Sequence, residues 1–160
     1  MDMNRRRFVS AAGTLGALLF GSETVGAARD RRGARSQDGR PTPPAKTVVH
    51  LSSGEQTAQR HALLNAQNLL EDDSVTVKNV VFVANGKGVK VYTPPSEENE
   101  FRETITSLQD RGVEFRACGN AMDALDLTKA DLVDGVEPVP SAVGELARLQ
   151  ELGYGYIKAP

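Results

Sequence analysis

Apolar residues arrive along this chain in two alternating rhythms. Short β-branched runs are separated by longer stretches in which apolar positions recur every three or four residues. Thr47 to Leu51, TVVHL, is the first run and fits a buried strand. A turn, SSGEQ, leads into Ala58 to Glu71, where Ala62, Leu63, Ala66, Leu69 and Leu70 share one face at helical spacing. Val77 to Ala84, VKNVVFVA, is the strongest strand signal in the chain. Asn85-Gly86-Lys87-Gly88 breaks it before a short run, Val89 to Tyr92, expected to be extended. Asn-Gly between two such runs fits a hairpin, and the same glycines also fit a loop at a ligand site.

A helix is expected from Pro94-Pro95-Ser96, with acidic residues in its first turn and Phe101, Ile105 and Leu108 on one face. Gly112 ends it, and Val113 to Ala117 is the next strand. Asn120 with Asp123 offers a partial capping box for a short helix, and Thr128 with Asp131 repeats the pattern. Val136 to Val139 reads as a strand whose Pro138 places it near a sheet edge. Ser141 is the expected cap of a last helix carrying Ala142, Val143, Leu146 and Leu149, closed by Gly153. Tyr154 to Lys158 completes the series as a fifth strand. Strand and helix alternate throughout, which predicts an α/β domain: an open, mostly parallel sheet of about five strands with helices on both faces.

Charge changes the picture at the N-terminus. Residues 1–46 carry 9 basic and 4 acidic groups, whereas residues 47–160 carry 10 basic and 17 acidic groups. The acidic domain at 47–160 argues against a nucleic-acid footprint. Ahead of it, Arg5-Arg6-Arg7 precedes an apolar stretch from Phe8 to Phe20, and Val25-Gly26-Ala27 offers a cleavage site before Ala28. That layout fits an export signal over residues 1–28. Arg5-Arg6-Arg7-Phe8 matches a twin-arginine core, with Ser10 standing where Lys is more typical. The stretch is too short and too rich in Gly, Ser and Thr for a good membrane span, so membrane contact is expected only through the signal. Residues 29–46 lack apolar periodicity and read as a basic, Pro-rich linker.

Candidate chemistry gathers where the strands end, because ligands of such sheets bind beyond the carboxyl ends of the strands. Ser52, Ser53, Asn85, Gly86, Gly88, Gly119 and Asn120 fall in the three segments that meet this description and are the candidate binding residues. Cys118, the single cysteine, falls among them, in an expected loop rather than in the core. A thiolate is the reactive form of cysteine and is favoured by cations and helix N-termini. The short helix expected at Asn120 supplies one such terminus. Arg116 lies two residues away on a strand, so its side chain shares the sheet face of the thiol. The opposing interpretation is a small buried hydrophobe. With no C-x-x-C, a dithiol cycle within one chain is excluded. His50 and His61 have no metal-ligand spacing, so no metal site is expected. His50 is a candidate base near the thiol, weighed against a structural histidine.

The runs KTVVHLSS, HALLNAQNLL, VVFVANGKGV, GVEFRACGNAM and VPSAVGELARLQELGYGYIK together resemble the DsrE/DsrF-like proteins. The resemblance spans residues 46–158 and is most specific in the strand-Cys-Gly-Asn element and the closing Gly-Tyr-x-Tyr-Ile-Lys. It implies an open three-layer α/β/α fold and assembly into homo- or hetero-oligomers, often trimers or hexamers. It also implies sulfur chemistry in which a cysteine carries sulfane sulfur as a persulfide between a donor and an acceptor protein, the position held here by Cys118. The expectation is therefore a sulfur carrier with Cys118 as the carrier residue and Arg116 as thiolate stabiliser, needing no cofactor because the sulfur travels on the side chain itself. Two other readings stand beside it: a non-catalytic oligomeric module that binds a small ligand while Cys118 only packs, and a thiol redox sensor that forms a disulfide between two copies.

Overall fold

The computed structural model describes residues 43–160. The expected export signal and nearly all of the expected linker lie outside the described residues. The order of elements is β1 (Ala45–Leu51), α1 (Gln56–Glu71), β2 (Val77–Ala84), a 3-10 helix (Gly86–Tyr92) and α2 (Arg102–Asp110). Then come β3 (Val113–Cys118), α3 (Gly119–Ala124), a 3-10 turn (Lys129–Asp131), β4 (Val136–Val139), α4 (Ala142–Glu151) and β5 (Gly155–Lys158). The five strands form one sheet in the order β4-β3-β2-β1-β5, and every pairing is parallel.

This order follows from the sequence. β2 sits at the centre, and residues 80–84 are all buried, as a strand covered on both faces requires. The chain steps outward from β1 through β2 and β3 to β4, then returns to the far side of β1 for β5. Right-handed crossovers put α1 and α2, which touch each other, on one face. The long return puts α4 on the opposite face, over β2 and β3. Strand β4, with Pro138, is an edge as expected, and β5 is the other edge. On the α1 and α2 face, Phe82, Tyr92 and Phe115 pack with ring centroids 5.3 to 6.5 Å apart. Burial holds the Tyr92 hydroxyl in its neutral form, its pKa well above the ordinary tyrosine value. That hydroxyl donates to the Arg116 carbonyl at 3.2 Å.

Four local expectations are corrected. Val89 to Tyr92 is not extended, and no hairpin forms at Asn-Gly. The segment winds as a 3-10 helix that buries Val89, Val91 and Tyr92 over the end of the sheet. The helix expected from Pro94 starts only at Arg102. Asn99 sets that start: it is 5% exposed, its Nδ2 donates to the Val91 carbonyl, and its Oδ1 accepts from the Phe101 amide. α3 begins at Gly119, with Cys118 as its N-cap, so the box between Asn120 and Asp123 does not form. The box between Thr128 and Asp131 does form. Val143 is 70% exposed and is not part of the buried stripe of α4, which consists of Ala142, Leu146 and Leu149.

Two glycines separate close packing from helix propensity. A Cβ at Gly88 would lie 2.7 Å from the Leu51 carbonyl oxygen, whereas a Cβ at Gly144, inside α4, would meet nothing nearer than 4.0 Å. In urea unfolding, Gly88→Ala is expected to cost about 2 kcal/mol or more through forced backbone movement. Gly144→Ala is expected to add about 0.5–1 kcal/mol through helix propensity. Equal effects of the two changes would contradict this packing.

Candidate functional site

Side chains alternate along a strand, so the register decides which residues share a face. His50 pairs with Val83, and Val83 pairs with Arg116. Cys118 is two residues beyond Arg116, so His50, Arg116 and Cys118 all point to the face that α4 covers. Asn85 joins them. It follows Ala84, the partner of Ala117, its backbone is still extended, and its amide donates to the Leu51 carbonyl at 3.0 Å. Asn85 thus lengthens β2 by one residue and lies level with Cys118.

Cys118 does not sit in a loop. It is the last residue of β3, and it is buried at 6% exposure. The Ala142 amide, at the first residue of α4, donates to Cys118 Sγ at 3.3 Å. The sulfur therefore lies at the positive end of a ten-residue helix, at an N–H that has no partner within its own helix. The short helix after Cys118, expected from the sequence to fill this electrostatic role, does not donate to the sulfur. The hydrogen bond comes instead from the helix that follows β4.

Arg116 shares the sheet face but is engaged elsewhere. Its guanidinium pairs with Glu114 and lies 3.9 Å from Glu145. Among the described residues no hydrogen bond joins it to the thiol. His50 is tied on both sides: Nδ1 lies 2.8 Å from the Tyr156 hydroxyl, and Nε2 lies 3.1 Å from Asn85 Oδ1.

The loop residues divide by role. Ser53 Oγ accepts from the Glu55 amide at 3.1 Å and shapes the turn into α1, while Ser52 is exposed. Gly88 is buried against Leu51, and Gly86 turns the chain with a φ of 48°. A Cβ at Gly119 would lie 3.1 Å from the Val139 carbonyl and 3.3 Å from the Pro140 carbonyl, so this glycine lets the β4–α4 connection pass close to β3. Asn120 is exposed. Among the described residues no group of three metal-ligating side chains occurs, and no helix is long and apolar enough to cross a membrane.

Residues 46–159 match the DsrE/DsrF-like family. The chain belongs to that family. It is also similar to a solved structure of a protein of unknown function, MTH1491 from Methanobacterium thermoautotrophicum. Identity is 30% over 71% of this chain and 98% of that one, with a TM-score of 0.63. The ychN protein from E. coli shares the fold at 16% identity and a TM-score of 0.56, over 71% of this chain and 98% of that one. No curated protein matches the chain.

Three partners in this DsrE/DsrF-like domain escaped the sequence reading. Ala142 acts through its backbone, and its residue type carries no signal for that. Tyr156 was visible only as part of the closing strand; parity with Val48 in the sheet puts it beside His50. With Val143, Leu146, Ala147 and Gln150, His50 and Tyr156 line an open groove of about 330 Å³ along α4. Glu145 is the third. Its side chain is 9% exposed, and it accepts from Arg148 Nε at 2.8 Å and Nη2 at 2.7 Å.

The hydrogen bonds from Arg148, followed by the charges of Arg148 and Arg116, outweigh burial and hold the Glu145 carboxyl below the ordinary glutamate value. A lowered folded pKa stabilises the fold above the unfolded pKa and ceases to do so as pH falls through the folded value. Glu145→Gln is expected to cost about 1–2 kcal/mol at neutral pH. In denaturant titrations, the gap from wild type should shrink as pH falls below the ordinary glutamate value and vanish in stronger acid. A gap independent of pH would contradict the ion-pair account.

Proposed function

We propose that this protein is a sulfur carrier in which Cys118 accepts a sulfane sulfur as a persulfide and relays it to an acceptor protein. Family membership supports a role related to sulfur relay. The observation that carries the reading is the Ala142 N–H directed at Cys118 Sγ. A thiolate there attacks the outer sulfur of a donor persulfide. The donor's sulfur–sulfur bond breaks, a new one forms on Cys118, and the donor leaves as its thiolate. No net oxidation occurs and no cofactor takes part. Delivery is the same exchange in reverse, toward the acceptor. Burial of the thiol also protects it from the oxidation that an exposed cysteine meets outside the cell.

A second reading rests on that same burial: an oligomeric small-ligand module in which Cys118 only packs. Intact mass separates the two. Full-length protein treated with a low-molecular-weight persulfide is expected to gain one sulfur atom that a reductant removes, and Cys118→Ala is expected to gain none. A wild type that stays unmodified, with a thiol that resists alkylation until unfolding, favours the packing role.

Export by the twin-arginine route, with the domain folding first, is proposed from Arg5-Arg6-Arg7-Phe8 and the apolar stretch after it. Mass spectrometry of protein from the cell envelope is expected to show a chain starting at Ala28; a full-length chain confined to the cytoplasm contradicts export. A trimer or hexamer of identical chains is proposed from the family. A native mass that stays monomeric at high concentration contradicts it.

A further inference from the structure

Tyr156, His50 and Asn85 form a continuous hydrogen-bonded chain that ends at Asn85, which is level with Cys118 on the neighbouring strand. The Asn85 carboxamide, with Oδ1 turned toward the ring, sets its direction. Asn85 Oδ1 only accepts, so His50 Nε2 must carry the proton and donate to it. In a neutral ring, Nδ1 is then an acceptor, and the Tyr156 hydroxyl donates to it. One tautomer satisfies both bonds. With its oxygen held by His50, the Asn85 carboxamide has its N–H₂ group left over, with no partner among the described residues.

Register places that group. Asn85 is level with Cys118 on the neighbouring strand and on the same face, and neighbouring strands run about 4.8 Å apart. The Ala142 amide already reaches Cys118 Sγ. An outer sulfur added to Sγ extends beyond that hydrogen bond and needs a donor of its own.

We propose that Asn85, held in orientation by His50 and Tyr156, donates a hydrogen bond to the outer sulfur of the Cys118 persulfide. The inference rests on the sulfur-carrier reading and assigns that site its second donor. His50 and Tyr156 are positioning residues that act through Asn85. With Nε2 protonated and bonded to Asn85, His50 is not available as a base toward Cys118.

Persulfide lifetime, read by intact mass after loading full-length protein with a low-molecular-weight persulfide, tests this. Asn85→Ala is expected to load sulfur and to lose it about tenfold faster than wild type, the loss of one hydrogen bond to a charged group. His50→Ala should shorten the lifetime in the same direction. The double variant should be no worse than Asn85→Ala alone, because His50 acts only through Asn85, whereas independent structural effects would add. Tyr156→Phe, a change at an exposed edge strand, covers the case in which Asn85→Ala fails to fold, and it should also shorten the lifetime. Nitrogen-15 spectra of the wild-type imidazole should show the proton on His50 Nε2.

A wild type that loads sulfur while Asn85→Ala and Tyr156→Phe keep its lifetime overturns this inference and leaves the carrier reading standing. A His50 proton on Nδ1 in the neutral ring also overturns it. A wild type that takes up no sulfur overturns both.

Discussion

The hydrogen bond from the Ala142 amide to Cys118 Sγ is the contact on which the candidate site depends. It joins residues 24 positions apart. It forms only because the β4–α4 connection passes close over the end of β3. Gly119 permits that approach: a side chain there would press on the Val139 and Pro140 carbonyls. The return of α4 from one edge of the sheet to the other then covers the second face, so one crossover both closes the core and aims a helix N-terminus at the sulfur. The Lys46 ammonium, donating to the Leu152 carbonyl at 3.0 Å, satisfies the opposite end of that helix.

The charged cluster around Arg116 is balanced within itself. Arg116 is the cation nearest to Cys118 in sequence, and Glu114 and Glu145 hold it. Arg148 completes the cluster through Glu145. What is directed at the sulfur is a dipole, the Ala142 N–H, rather than a full charge. A neutral donor suits the proposed carrier role, because a tight ion pair would oppose release of sulfur as strongly as it favours capture.

The sequence made the sheet legible to a degree set by locality. Val77–Ala84 and Val136–Val139 matched their expected bounds, since a buried central strand and a proline-marked edge are written in their own residues. The segment around Gly86 to Tyr92 was misread because extended and 3-10 backbones can bury the same valines, and the choice turned on Gly88 packing against Leu51. The start of α2 was misplaced because Asn99, not the proline pair, supplies the hydrogen bonds that set it. For the site, alternation placed Arg116 and Cys118 on one face correctly. Alternation could not reveal that Arg116 is occupied by carboxylates, nor that the donor to the sulfur would come from a helix beyond the next strand. Those contacts belong to the topology of the return crossover.

The amide that donates the hydrogen bond to Cys118 Sγ can be watched directly. In nitrogen–proton correlation spectra of the reduced protein, the Ala142 resonance should move markedly when Cys118 is converted to its persulfide. The amides of Gly144 and of later residues in α4 should stay nearly fixed. An Ala142 signal unmoved by sulfur loading would show that the N-terminus of α4 does not hold the sulfur, and would contradict the account.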